Sequence, residues 1–290
     1  MVRPVATRPF GVSTHLFHHE RLTRDHFQAI AAHGFEMVEL FATRTHFDYH
    51  SPAAVADLQQ WLADAGVTLR SVHAPTAESF IGGTWGGSMS IASVDPDRRA
   101  RAVREAEQAL FVARRIPIAV LVTHVGIPRM QPRDADVGAQ DVRAAARRSV
   151  EELQRAAEPL GVRIAVEVIP NELSRARSLV HFVEEDLDGL GVGICLDFGH
   201  AHIDGDVVEA VETVSEHVIA THLHDNGGRA DDHLMPMDGT IDWAGALTAV
   251  QKIGYDGPLM FEVGAYGPSK NSLARLKRTR EKMERWLTST

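Results

Sequence analysis

Short apolar runs alternate along the chain with longer stretches in which hydrophobic residues recur every three or four positions. One run ends at Gly11-Val12-Ser13-Thr14, and others cover 37–41, 67–72, 118–123, 162–166, 192–196, 218–223 and 258–261. They are short, mainly apolar and rich in Val, Ile and Leu, the pattern of strands buried on both faces. The periodic stretches at 23–33, 52–65, 95–115, 141–160, 206–216, 243–253 and 271–287, with one more ending near 186, predict helices. Boundary residues agree: Thr23 stands as an N-cap with Gly34 as a stop, Pro52 lies in a first turn with Gly66 past the end, and Asp95-Pro96 opens the third helix. Eight uninterrupted strand–helix units predict an α/β fold, a single (β/α)8 TIM barrel with parallel strands that occupies 1–290 as one domain. No glycine-rich phosphate fingerprint follows the first strand, which argues against an open dinucleotide-binding sheet.

Two connections, 77–94 and 225–242, are longer than a barrel needs, and both follow a strand, on the face where barrel sites form. The first carries Gly82-Gly83 and Gly86-Gly87 around Trp85, and is open between a mobile lid with Trp85 in contact with substrate and a disordered insertion without a role.

The residues that close the strands are unusual. The third and fourth end in His73 and His124, the fifth and sixth in Glu167 and Asp197, the seventh holds His222 and the eighth ends in Glu262. In a barrel these positions converge on one axial pocket. Carboxylates beside an apolar strand core are costly unless paired, and a bound cation removes that cost. Mixed imidazole and carboxylate ligands suit Zn, Mn, Co or Fe, with Mg also retained. His200 follows Asp197 by three residues, where the strand is expected to turn into its next loop, and Asp231 and His233 alternate, so an extended loop would turn both the same way. His224 shares the face of His222 but sits higher, where substrate would lie. Glu39, read as closing the second strand, is open between a salt bridge in the barrel mouth and a substrate contact. His15, His18, His19, His46 and His50 follow the first two strands and could reach the pocket mouth, His46 best. His26, His33, His181 and His217 read as surface residues, and His202 as pointing away.

Composition narrows the partners. With 30 Lys+Arg against 39 Asp+Glu the net charge is -9, which disfavours a polyanion, so nucleic acid is not expected. The single cysteine, Cys195, lies in an apolar run and reads as a buried hydrophobe. No apolar h-region accompanies the arginines of 1–9, and no apolar stretch is long enough for a membrane span, so a cytoplasmic protein is expected. A homo-oligomer is left open.

Several segments resemble a known family: Gly11-Val12-Ser13-Thr14, Gly34-Phe35-Glu36-Met37-Val38-Glu39-Leu40, His73-Ala74-Pro75, Leu196-Asp197-Phe198-Gly199-His200, His222-Leu223-His224-Asp225 and Gly254-Tyr255-Asp256-Gly257. In order and spacing they are similar to the xylose-isomerase-like TIM barrels, which include sugar (phosphate) isomerases and epimerases and endonuclease IV. For the epimerases the resemblance implies one divalent metal on Glu167, Asp197, His222 and Glu262. Glu167 and Glu262 would exchange a proton on opposite faces of a sugar carbon, and His200 would contact the sugar. For endonuclease IV it implies that His73, His124, His200, Asp231 and His233 join the same four, so one to three ions are expected. The function expected is a metal-dependent sugar (phosphate) isomerase or epimerase acting on a small sugar by proton transfer next to a carbonyl. The alternatives are an endonuclease IV-like abasic-site phosphodiesterase and a metal-dependent dehydratase or lyase. Against the nuclease, the loop Ala74-Pro75-Thr76-Ala77 after His73 lacks a bulky wedge to open a duplex.

Overall fold

The computed structural model describes residues 8–128, 138–265 and 269–288. Most of the arginine-bearing N-terminal stretch read for a leader lies outside them. In chain order the strands are β1 (Phe10–Ser13), β2 (Met37–Phe41), β3 (Thr68–His73), the hairpin pair β4 (Phe80–Ile81) and β5 (Thr84–Trp85), then β6 (Val120–His124), β7 (Arg163–Glu167), β8 (Gly193–Asp197), β9 (Val218–Leu223) and β10 (Leu259–Phe261). All but the hairpin run parallel and close into a barrel in the order β1-β10-β9-β8-β7-β6-β3-β2, the expected topology.

The helices form for the local reasons read in the sequence. Ser51 accepts from the Ala54 amide at the start of the helix Pro52–Ala65, and Gly66 ends it in the left-handed region at φ 66°. Asp95 accepts from the Asp97 and Arg98 amides at the start of the helix Pro96–Leu110. Two features depart from expectation. The connection 77–94 carries the hairpin β4–β5, whose two-residue strands are too short to show periodicity. A short helix, Phe198–Asp204, starts directly after β8, so His200 lies on a helix and not in a loop; Asp197 caps it by accepting from the His200 amide at 2.6 Å. Among the described residues no helix is long and apolar enough to cross a membrane.

Strand alternation builds the barrel interior in layers. Val120 and Val122 precede His124 on one face, Ala165 precedes Glu167, and Cys195 precedes Asp197; these small apolar residues form a buried cluster that floors the site. Two β-bulges interrupt the ladder. Val38 pairs with Leu69 but Glu39 with Ser71, so β3 carries Arg70 as an extra residue. Ile194 pairs with Val218 but Cys195 with Ala220, so β9 carries Ile219 as an extra residue, and its side chain packs where a Cβ on Gly193 would stand, 2.7 Å away. Cys195 is free and buried, and burial pushes its thiol up, away from nucleophilic use.

Candidate metal centre

His222 is the hub of the site. Its Nδ1 lies 3.1 Å from Glu167 Oε1, 3.5 Å from Glu262 Oε2 and 3.9 Å from Asp197 Oδ2. Its Nε2 lies 3.0 Å from Glu39 Oε1, and Ser71 donates to Glu39 Oε2 at 2.8 Å. Glu167, Asp197, His222 and Glu262 are all buried and offer ligand atoms within 4.8 Å of one another. Glu167 Oε2 is also 3.0 Å from His73 Nε2 and 3.2 Å from His124 Nε2.

The electrostatics follow from this crowding. Burial pushes the Glu167 carboxyl up, but His222, His124 and His200 outweigh it and hold it well below the usual carboxylate range. Burial pushes His222 down, but Cys195, Glu262, Glu39 and Glu167 outweigh that and hold it well above the usual imidazole range. With carboxylates at both ring nitrogens, His222 needs either two protons or a proton at Nε2 and a cation at Nδ1. His73 is likewise lowered by burial but pushed up to about 9 by its hydrogen bond to Glu167.

A second group lies beside the first. His200 Nε2 is 3.1 Å and His233 Nε2 3.3 Å from Asp231 Oδ2, and His224 joins them within the same 4.8 Å limit. The Nδ1 atoms of His200 and His233 face the carbonyls of Val168 (3.1 Å) and Glu262 (2.8 Å). A carbonyl only accepts, so both rings carry their proton on Nδ1 and turn a lone pair inward at Nε2. His233 sits at φ 46°, so the loop is not extended there; Asp231 and His233 meet because the chain turns. The loop is anchored by buried Asp225, which accepts from the amides of Asn226, Met237 and Ile241 and from Trp243 Nε1.

Above the centre opens a cavity of about 760 Å³ whose walls include His15, His18, Phe41, Trp85 and Glu262. Trp85 stacks on His18 at 5.2 Å and packs against Phe80 at 4.6 Å, which places the hairpin over the cavity.

The structure thus gathers Glu167, Asp197, His222, Glu262, His73, His124, His200, Asp231 and His233 at one end of the barrel, with Trp85 on the wall. It places others elsewhere. Glu39 does not line the cavity: β2 continues to Phe41, so Glu39 lies one inward-facing layer lower, beneath His222. His224 is fully buried against Asp197 and His233 and is not on the cavity wall. His46 is buried away from the mouth, its Nδ1 donating to the Glu20 carbonyl. His15 and His18 are the cavity residues among that group; they lie on the 3-10 turn after β1 and at its end, a placement that strand-end reading does not single out. His202 turns outward to Thr240, as expected.

Comparison with known proteins is consistent along nearly the whole chain. Residues 27–290 match the family model described as xylose isomerase-like TIM barrel. An uncharacterised protein of Methanocaldococcus jannaschii is 30% identical over 261 residues, 87% of this chain and 83% of that protein. The D-psicose 3-epimerase of Enterocloster bolteae is 23% identical over 240 residues, 80% of this chain and 74% of that enzyme. The crystal structure of a D-tagatose 3-epimerase-like protein superposes with a TM-score of 0.78 at 26% identity, covering 96% of this chain and 98% of that one.

Proposed function

The chain belongs to the xylose isomerase-like TIM barrels, and from that premise we propose that it is a metal-dependent isomerase or epimerase that moves a proton on the carbon next to the carbonyl of a small ketose-type sugar. The observation that carries the reading is the pair Glu167 and Glu262, both turned to His222 Nδ1 at the end of the barrel, with Glu262 on the cavity wall. The donor set fits a divalent cation: Asp197 Oδ2 is buried with no hydrogen-bond partner, and the lone pairs of three carboxylates converge on one imidazole nitrogen. A cation held by Glu167, Asp197, His222 and Glu262 would polarise the sugar carbonyl and acidify the neighbouring C–H.

The carboxylates are not equivalent. Glu167 is gripped by His73 and His124, whereas the imidazoles facing Glu262 stand farther off, at 3.5 Å for His222 and 4.0 Å for His233. Glu262 is therefore the base that meets the substrate first, and Glu167 the group that serves its opposite face. Phe41 and Trp85 supply apolar surface for the C–H face of the sugar and exclude water from the transfer. Loss of a neighbouring hydroxyl after the same proton removal would make the enzyme a dehydratase, which product analysis distinguishes.

The test is incubation with a panel of ketoses and keto-glycosides in D2O. Deuterium should enter at the carbon alpha to the carbonyl, and only with divalent metal present. Glu262→Gln should lower the exchange by about 10²–10⁴-fold, the range for losing a general base. The grouping of His73, His124, His200, Asp231 and His233 supports a phosphodiesterase as the second reading. If no sugar exchanges deuterium and the protein nicks abasic DNA, that reading replaces the first.

A further inference from the structure

His15 and His18 both line the cavity, and the local backbone sets them there as a pair. They stand three residues apart, on the 3-10 turn Thr14–Phe17 and at its cap, and side chains three apart in such a turn lie above one another. Their rings stack with centroids 4.6 Å apart. The row continues inward to His233, 4.5 Å from His15, and outward to Trp85, 5.2 Å from His18, so each imidazole is clamped between two other rings. The main chain fixes the tautomer of each. His15 Nδ1 faces the Val263 carbonyl at 3.3 Å, and His18 Nδ1 faces the His15 carbonyl at 2.8 Å. A carbonyl only accepts, so both rings carry a proton on Nδ1. Among the described residues neither Nε2 makes a hydrogen bond or an ion pair. With no carboxylate to hold a second proton, each imidazole is mainly neutral at about pH 7 and keeps a lone pair on Nε2.

We propose that His15 and His18 accept, through Nε2, hydrogen bonds from hydroxyl groups of the sugar that lie away from its reacting carbon, and that the substrate is an unphosphorylated sugar with free hydroxyls at that end. This inference rests on the proposed function, which puts the reacting carbon at Glu262. Glu262 and His233 share one corner of the cavity, where the Glu262 carbonyl accepts from His233 Nδ1 at 2.8 Å. From that corner the row of rings steps to His15, then to His18, then to the hairpin. A sugar leaving Glu262 along this row meets His15 first and His18 next. Two fixed acceptors match hydroxyl groups, which donate. A phosphate ester brings only acceptor oxygens and negative charge, so the two lone pairs repel it. Asp231, Asp232 and Glu262 on the same wall are acidic, and no lysine or arginine stands among the described residues of the wall to offset them. Phe41 meets the His15 ring edge-on at 4.8 Å, and with Trp85 it gives the wall apolar surface for the C–H groups between the hydroxyls.

The experiment measures deuterium exchange in D2O on the panel of ketoses and keto-glycosides, D-psicose and D-tagatose among them. It adds their terminal phosphate esters and analogues in which one remote hydroxyl is replaced by hydrogen. The proteins are wild type, His15→Asn, His15→Gln, His18→Asn and His18→Gln, with circular dichroism to confirm folding. Asparagine keeps a donor for the main-chain carbonyl but lacks the Nε2 acceptor, whereas glutamine can place an oxygen where Nε2 stood. The wild type should exchange a free sugar with kcat/KM at least about tenfold above that of its phosphate ester, which brings an unpaired charge to the wall. Each asparagine variant should lose about 2- to 12-fold in kcat/KM on the free sugar, the range for one neutral hydrogen bond, chiefly through KM. Glutamine should recover part of it. On the analogue that lacks the hydroxyl a residue reads, the loss should vanish. Equal losses on every analogue would mean that the rings only support the wall, and overturn the proposal, as does a phosphate ester exchanged as fast as its free sugar. Should the variants fail to fold, the wild type decides alone: kcat/KM unchanged by removal of each remote hydroxyl in turn overturns the proposal. Exchange of phosphate esters without exchange of free sugars refutes this inference and leaves the proposed function standing, whereas no exchange with any sugar, free or phosphorylated, refutes both.

Discussion

Glu39→Gln tests whether the carboxylate beneath His222 prepares that ring for a cation. Glu39 is 1% exposed, so bulk salt and water screen its charge poorly, and it faces His222 Nε2 at 3.0 and 3.1 Å through its two oxygens. Burial pushes its carboxyl up, but the charge and hydrogen bond of His222 outweigh that, so it stands ionised. An ionised carboxylate at Nε2 fixes the proton there, leaves the lone pair on Nδ1 and makes that nitrogen more basic. Glutamine is nearly the same shape and keeps one oxygen to accept from Nε2 and from Ser71, so the ring should stay in place while the charge is lost. Losses of such outer partners cost about 10- to 100-fold in metal affinity, which is about 1.4–2.7 kcal/mol. The assay is competition for zinc against a chromophoric chelator, with circular dichroism to confirm folding. Glu39→Ala, which also frees the tautomer, should lose at least as much. If both variants bind zinc within about twofold of the wild type, a range well inside the effect expected of an outer partner, Glu39 does not tune the centre.

Other expectations concern stability and the cavity. His46 is buried and pushed down to about 4, so the unfolded chain takes up a proton that the folded one refuses as pH falls from 6.5 to about 4. Its contribution is complete above 6.5 and declines by about 3 kcal/mol across that window. Urea titrations between about pH 7 and about pH 4.5 should show a shallower loss for His46→Asn than for wild type. Asp225→Asn turns an amide group toward amides that now donate to the carboxylate, leaving a buried donor unpaired. A loss of about 1–3 kcal/mol is expected in thermal or chemical denaturation; an unchanged midpoint would show that the loop has another anchor. Trp85→Ala removes the ring stacked over the cavity mouth and should raise KM more than it lowers kcat, measured on whichever sugar shows exchange.

The barrel was legible because its strands are largely buried on both faces, and an apolar stretch such as Ile164-Ala165-Val166 leaves little else for its segment to do. The convergence of the strand-end residues follows from topology alone, since any inward position at the end of β6, β7 or β8 must face the same axis. Depth along that axis was not legible. Glu39 and His73 look alike as polar residues near strand ends, but β2 runs two residues past Glu39 and puts Phe41 beside His73. His224 follows the same rule as His222 yet meets Gly199 and His233 instead of the cavity, because the helix after β8 covers it. No sequence pattern announces that helix, because it is short and holds two histidines and a glycine, with its apolar residues too few to show a period. The cavity role of His15 and His18 depends on a 3-10 turn that no hydrophobic pattern announces.

The two bulges set a different kind of constraint on the chain, one of residue count. Arg70 and Ile219 each stand in the ladder without a counterpart on the neighbouring strand, and His73 and His222 follow three residues after each. Side chains alternate across a sheet, so deleting Ile219 would regularise the pairing with β8 and turn His222 and His224 toward the helix layer. Deleting Arg70 would do the same to His73. Neither residue supplies a ligand, and substitutions at either leave the phase of the strand intact. An alignment of functional variants of this chain should therefore tolerate many amino acids at 70 and 219 but no gap, so that indel scanning exposes a dependence that alanine scanning would pass over.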